Sequence, residues 1–193
     1  MRTRTSVLLI SFAATIPALG EGATAAEAPE GLRAESEAIH QEVDFEADCG
    51  RIYHALTDRE AVQDWLPPAG AQGLIEAFDP RPGGAFRMTL AFEGPGNTGS
   101  RKSSANTDVV DGEFVELVPD RLVRQCFVFQ SKDPEFGGKM SMTWTLNPQP
   151  EGVEVTVTAE NVPVGISRHD HEVGMASSLA NLARYVEQGS HHR

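Results

Sequence analysis

The sequence predicts an α+β domain in which a curved antiparallel sheet of about six to seven strands wraps around a long C-terminal helix. Segments between residues 74 and 160 alternate apolar and polar residues, which is typical of strands with one buried face. Residues 168–188 instead space their apolar residues three to four apart, which indicates an amphipathic helix. A sheet that holds such a helix often leaves a cavity beside it, and we expect the function to lie there.

Composition and charge limit the classes of function. The 193 residues suggest one domain with an appendage, and the 40% hydrophobic content is sufficient for a core. A formal net charge of −12, without a basic cluster, argues against nucleic acid as a partner. Cys49 and Cys126 lack the spacing of a metal site, and the sequence leaves open whether they pair or are two inert thiols.

Residues 1–25 have the three regions of a secretory signal peptide. Arg2 and Arg4 precede an apolar run over residues 6–19, and the A-x-A pattern Ala23-Thr24-Ala25 follows. The run is too short, and too broken by Pro17, for a stable membrane span. We therefore expect export to the periplasm or secretion, with a disordered tail on a cytoplasmic protein as the alternative. Residues 26–37 are predicted to be a linker, 38–188 the domain and 189–193 a tail.

The domain begins with short elements. A strand is predicted over residues 38–46, and Asp48 can cap a helix that starts at Cys49. Helical spacing continues to residue 66 in two short helices, with a break at residues 57–58 and a stop at the two prolines that follow.

Six further strands are predicted after these helices. They are a strand from 74 that ends at Phe78, and strands over 86–92, 109–118, 122–130, 140–146 and 153–160. A turn occupies residues 79–84, and a polar, glycine-rich loop occupies residues 93–106. Because no parallel βαβ rhythm is present, we expect the sheet to be antiparallel.

The final helix, over residues 168–188, is about 30 Å long at 1.5 Å per residue. Its predicted apolar positions are Val173, Ala176, Leu179, Ala180, Leu182, Ala183 and Val186, with Met175 beside them. This apolar face is expected to pack against the sheet.

Eight apolar side chains are predicted to line the cavity between the sheet and this helix. Most of them are methionine or aromatic, which suits an adaptable apolar pocket. The set comprises Phe86, Met88, Phe127, Phe129, Met142, Trp144, Met175 and Leu179. The alternative for each is a place in the ordinary core, because the interior of such a fold serves as both.

Ionisable residues give weaker hypotheses. His169 and His171 are two apart on a helix, so they point about 200° apart and no metal site is predicted. A single histidine at the cavity mouth could act as a general acid or base. Asp111 and Glu113 share a strand face and could orient a ligand, although a solvated strand edge is the favoured interpretation.

Several segments resemble one known superfamily. They are Ile39–Phe45, Ile52–Asp58, Trp65–Pro67, Phe78–Arg87, Gly112–Val123 and Gly174–Leu182. Over about residues 38–188 the chain is similar to the SRPBCC (START/Bet v-like) superfamily. It is most similar there to homologues of the C-terminal domain of the activator of heat-shock-protein-90 ATPase. The resemblance implies a helix-grip fold around an apolar cavity. It implies no single activity, because the superfamily includes ligand binders, polyketide cyclases and aromatases, and co-chaperone domains.

Three functional hypotheses follow. The first is binding of a small hydrophobic or amphipathic ligand in the cavity. The second is a cyclase-like or hydrolytic enzyme that uses cavity acids or His169. The third is a protein-interaction module resembling the chaperone ATPase activator. No cofactor and no metal is predicted for any of them.

Overall fold

The structure, a computed structural model, describes residues 38–68, 70–92, 103 and 106–188. Its strands are β1 (Ile39–Phe45), β2 (Ala71–Phe78), β3 (Ala85–Phe92), β4 (Thr107–Val118), β5 (Leu122–Phe129), β6 (Met140–Gln149) and β7 (Gly152–Glu160). Its helices are α1 (Cys49–Thr57), α2 (Arg59–Trp65) and α3 (Arg168–Gln188), and a 3-10 turn spans Pro134–Phe136. The predicted signal peptide (1–25), linker (26–37) and tail (189–193), and most of the loop at 93–106, lie outside the described residues.

These strands form one antiparallel sheet in the order β1-β7-β6-β5-β4-β3-β2. Strands β2 to β6 each pair with the next strand in the chain, whereas β1 pairs with β7, with Ile39 opposite Ala159. Register shifts between Ile75 and Ala77, and between Phe114 and Glu116, are β-bulges that bend the strands. The sheet therefore curves around α3, and the predicted α+β helix-grip fold is confirmed.

The inward face of the sheet is apolar and the outward face is charged. Phe86 and Met88 on β3 are buried in the core, whereas Arg87 between them faces outward. The Arg87 guanidinium lies 2.7 Å from the carboxylate of Glu76 and 2.6 Å from that of Asp111. This alternation is the one that the sequence predicts for a sheet with one solvated side.

Asp111 and Glu113 belong to the outward face. Asp111 binds Arg87, and the Glu113 carboxylate lies 2.8 Å from the Lys139 ammonium group. The suggestion that this pair orients a ligand in the cavity is therefore wrong. The favoured interpretation, a solvated strand edge, is right that both side chains reach solvent. It is wrong that β4 is an edge strand, because β4 lies between β3 and β5.

Helices α1 and α2 begin at aspartate caps. The Asp48 carboxylate accepts the backbone N–H of Arg51 at 2.9 Å, and that of Asp58 accepts the N–H of Ala61 at 2.9 Å. Asp58 also ends α1, so one residue separates the two helices. The predicted helix start at Cys49 and the predicted break at residues 57–58 are thus confirmed.

Helix α3 buries a narrower stripe than the sequence pattern predicts. Met175, Leu179, Leu182 and Val186 are buried, at a spacing of four, three and four residues. Val173 is 55% exposed, because a residue two positions from Met175 points about 200° away from it. Ala176 and Ala180 are also exposed, so the prediction of a buried apolar face is wrong at these three positions.

Hydrogen bonds at both ends hold α3 in the sheet. The Gln41 side chain of β1 donates to the Glu172 carbonyl at 2.6 Å, and Arg51 of α1 donates to the Val186 carbonyl. The Asn181 side chain donates to the Pro67 carbonyl at 3.0 Å, which ties α3 to the segment after α2. Among the described residues, no helix is long and apolar enough to cross a membrane.

Candidate functional site

A cavity of ≈ 250 Å³ lies between the concave face of the sheet and α3. Strands β3 to β6 form its floor, and Leu56 of α1 and Val62 of α2 close one side. Ile166, Asp170 and His171, just before and at the start of α3, line another side, and Asp170 is the one lining residue among the described residues that is fully exposed. We call this side the mouth.

The structure places seven of the eight predicted side chains around the cavity. They are Phe86, Met88, Phe127, Phe129, Met142, Trp144 and Met175. Leu179, the eighth, is buried in the core and is not a lining residue. It lies four residues after Met175, one helical turn further from the mouth.

The cavity collects the methionines and tryptophans of the chain. Met88, Met140, Met142 and Met175 all line it, and the chain has five methionines in total. Both tryptophans line it as well, with the rings of Trp65 and Trp144 5.5 Å apart in an edge-to-face contact. The indole N–H of Trp65 donates to the Ala55 carbonyl at 2.8 Å. The polar atom of Trp65 is therefore paired, and its ring contributes apolar surface to the cavity wall.

Two phenylalanine rings meet over a glycine in the floor. Gly112 of β4 lies between Phe86 of β3 and Phe127 of β5 in the register of the sheet. Its missing side chain lets the two rings approach to 5.4 Å, because a Cβ there would lie 2.6 Å from the Phe127 ring. The sequence therefore needs a glycine at this point of the wall.

One stripe of α3 forms the roof. His171, Gly174, Met175 and Ser178 line the cavity and are spaced three, one and three residues apart, which places them on one helix face. His169, the histidine named as a possible acid or base, is exposed and is not a lining residue. His171 instead takes the position at the mouth.

Sequence reasoning missed two buried polar residues of the floor. Gln125 and Asp108 are 8% and 3% exposed, and both line the cavity. Gln125 has the same strand parity as Val123 and Phe127, so its inward position could have been read from the alternation. Asp108 precedes the predicted start of its strand, so the pattern gave no signal for it.

Acidic groups dominate the charged lining. Asp108 and Asp170 line the cavity together with His171, and no lysine or arginine of the described residues does so. Asp108 lies at the mouth end, because Val110, two residues further along β4, is opposite Phe129, the last residue of β5. The arrangement favours neutral or positively charged guests over anions.

Metal binding and thiol chemistry find little support in the described part of the chain. No group of three His, Cys, Asp or Glu side chains there is placed to hold a metal ion. Cys49 and Cys126 are both free thiols. Burial raises the pKa of the Cys49 thiol, and the carboxylates of Asp120 and Asp48 raise it further, so Cys49 is a poor nucleophile at neutral pH.

A family model for activator of Hsp90 ATPase homolog 1-like proteins matches residues 46–187. The chain belongs to this family. The match covers both short helices, β2 to β7 and nearly all of α3, and so includes every wall of the cavity. The suspected resemblance to SRPBCC-type homologues of the activator is thereby confirmed. Membership gives the fold and leaves the activity open.

Solved structures with the same fold come from several bacteria. A protein from Chromobacterium violaceum is 29% identical, with a TM-score of 0.69 over 78% of this chain and 96% of that one. The AHSA1-like protein from Aeromonas hydrophila is 18% identical, with a TM-score of 0.61 over 81% and 97%. At that lower identity the likeness concerns the fold alone. Among curated proteins, none matches the chain.

Proposed function

We propose that this protein binds a small hydrophobic or amphipathic molecule in the cavity between the sheet and α3. The observation that carries the proposal is the cavity itself: ≈ 250 Å³, walled by methionine and aromatic side chains. An engineered apolar cavity of about 150 Å³ binds benzene, so this one has room for about ten non-hydrogen atoms, such as two fused rings.

The energetics of packing support the same proposal. An empty cavity costs about 24 cal/mol per Å³, which for ≈ 250 Å³ is on the order of 6 kcal/mol. That value is an upper bound, because water can enter at the mouth. It is nevertheless comparable with the whole stability of a small domain, about 5–15 kcal/mol. A bound apolar molecule would offset much of this cost.

Native mass spectrometry of the protein purified from its own cells tests the proposal. We expect the native mass to exceed the denatured mass by about 100–200 daltons, the mass of a guest of about ten non-hydrogen atoms. A protein that is empty in its cells, and that also takes up neither naphthalene nor 2-naphthol when these are added, would refute ligand binding.

Export of the protein is a proposal tested by the same spectra. The signal-peptide pattern of residues 1–25 supports it. The denatured mass should correspond to a chain that begins near Ala26. A chain that begins at Met1 in the purified protein would contradict export.

A second candidate function is acid–base catalysis in the same cavity. One observation favours it: Asp108, a carboxyl group that is only 3% exposed, lines the cavity together with His171. Asp108→Asn would then abolish turnover of a bound guest while its binding persists. A guest recovered chemically unchanged after long incubation with the wild type would count against catalysis on that compound.

A further inference from the structure

We propose that the cavity selects a neutral, ring-sized molecule carrying a hydroxyl or carbonyl group, and that this group pairs with the side-chain amide of Gln125. The inference rests on the proposed ligand-binding function and adds the chemical class of the ligand. Three observations carry it: the burial of Gln125, its lack of a hydrogen-bond partner, and the charges of the lining.

Gln125 occupies an inward position on an otherwise apolar strand face. It lies between Val123 and Phe127 on the buried side of β5, and its neighbours across the sheet are Phe114 and Met142. The side chain is only 8% exposed, and it lines the cavity. An amide at this position is surrounded by hydrocarbon and sulfur.

The Gln125 amide makes no hydrogen bond to any described residue. A largely buried amide needs a hydrogen-bond partner, and one that lines a cavity can take it from a molecule bound there. A ligand hydroxyl or carbonyl oxygen at the amide would satisfy it, and a hydroxyl could use both its donor and its acceptor.

Gln125 is far from the mouth, so the polar group of the ligand must enter first. The segment before α3 is fixed to the β5–β6 connection, since the Gly165 N–H donates to the Glu135 carbonyl at 2.9 Å. Gln125 lies four residues before Phe129, the end of β5 at that connection, and thus about 13 Å deeper along the strand. The hydrocarbon part of the ligand then fills the space between Gln125 and the mouth.

The charged lining disfavours an anionic ligand. A carboxylate beside Gln125 would be buried with no lysine or arginine of the described residues in the lining, and the carboxylates of Asp108 and Asp170 line the same cavity. Burying an uncompensated charge is far more costly than burying a neutral polar group. Fatty acids and aromatic acids are therefore poor ligands, whereas phenols, aryl ketones and similar neutral molecules fit.

Calorimetric titration with three matched probes tests the inference. Naphthalene, 2-naphthol and 2-naphthoate share two fused rings and differ only in the polar group. At neutral pH the wild type should bind 2-naphthol about fivefold more tightly than naphthalene, the effect of one neutral hydrogen bond. It should bind 2-naphthoate at least about tenfold more weakly than 2-naphthol.

The decisive variant is Gln125→Leu, which replaces the amide by an apolar group of similar size. The preference for 2-naphthol over naphthalene should fall to one or below, while naphthalene binding persists. Gln130→Leu is the matched control, because Gln130 is exposed and donates to Asp111 on the outward face at 2.6 Å. It should leave the preference unchanged. If Gln125→Leu does not fold, the wild-type Gln125 side-chain amide resonances give the answer, since 2-naphthol should shift them much more than naphthalene.

The outcomes separate this inference from the proposed function. If none of the three probes binds the wild type, ligand binding itself fails. If naphthalene and 2-naphthol bind but the preference is the same in Gln125→Leu, the role of Gln125 is refuted and ligand binding stands. Tight binding of 2-naphthoate would refute the selection for neutral molecules.

Discussion

Replacing Gly174 by leucine should fill the cavity from the roof and stabilise the fold at the same time. A Cβ built at Gly174 meets no atom within 4 Å, and the residue lies on the lining stripe of α3 beside Met175. On the scale at which benzene occupies about 150 Å³, a leucine side chain takes about 100 Å³. About 150 Å³ of the ≈ 250 Å³ would remain, enough for one ring but not for two.

Gly174→Leu should raise the stability of the fold, whereas most substitutions of residues that line a cavity lower it. Glycine inside a helix costs about 0.5–1 kcal/mol relative to a good helix former, and leucine is one. Calorimetric unfolding should therefore give a melting temperature about 1–4 °C higher for Gly174→Leu. Titration should show at least about a tenfold loss of 2-naphthol affinity, with benzene binding retained.

Ala176→Leu is the matched control for this prediction. Ala176 lies on the exposed face of the same helix, two residues from Gly174. A leucine there adds the same side chain outside the cavity and should leave 2-naphthol binding unchanged. The reasoning fails if Gly174→Leu binds 2-naphthol as well as the wild type does, or if both variants lose it equally.

Three further predictions concern the scaffold. Gly112→Ala should destabilise the domain by about 1–3 kcal/mol in urea unfolding, because the new Cβ would lie 2.6 Å from the Phe127 ring; an unchanged midpoint would contradict this packing. Asp58→Ala should cost about 1 kcal/mol through loss of the cap on the Ala61 N–H, whereas Asp58→Asn should retain most of the stability. The pKa of the Cys49 thiol is raised, so at about pH 8 it forms less thiolate than an ordinary cysteine does. Cys49 should therefore react more slowly with iodoacetamide in the folded protein than in the urea-unfolded chain. Equal rates would show that the thiol is unperturbed.

Much of the fold could be predicted because local patterns determine it. The alternation on β3, with Phe86 and Met88 inward and Arg87 outward, states which face of the strand is buried. The capping aspartates and the paired prolines after α2 fix where the short helices begin and end. Helix α3 was predicted with its observed bounds, but alanines and a valine on its exposed side made the apolar face look broader than it is.

The candidate site was predicted only in part, because its polar residues depend on tertiary placement. The aromatic and methionine wall follows from strand parity. Asp111 and Glu113 share a face, but which face is inward depends on the ion pairs with Arg87 and Lys139 across neighbouring strands. Trp65 reaches the cavity only because α2 packs over one side of it, and no pattern within the helix shows that.

The position of β1 in the sheet determines when the domain can be completed. Strands β3 to β7 can be added hairpin by hairpin to β2 as the chain emerges, since each of them pairs with the strand before it. β1 is made first but is paired last, because its partner β7 follows more than a hundred residues later, as the pairing of Ile39 with Ala159 shows. Contacts between segments so far apart in the chain slow folding, because the entropy of closing the long loop is lost before the contacts form. The newly made chain therefore stays open until its C-terminal part is available, and the cavity comes into existence only when β7 and α3 do.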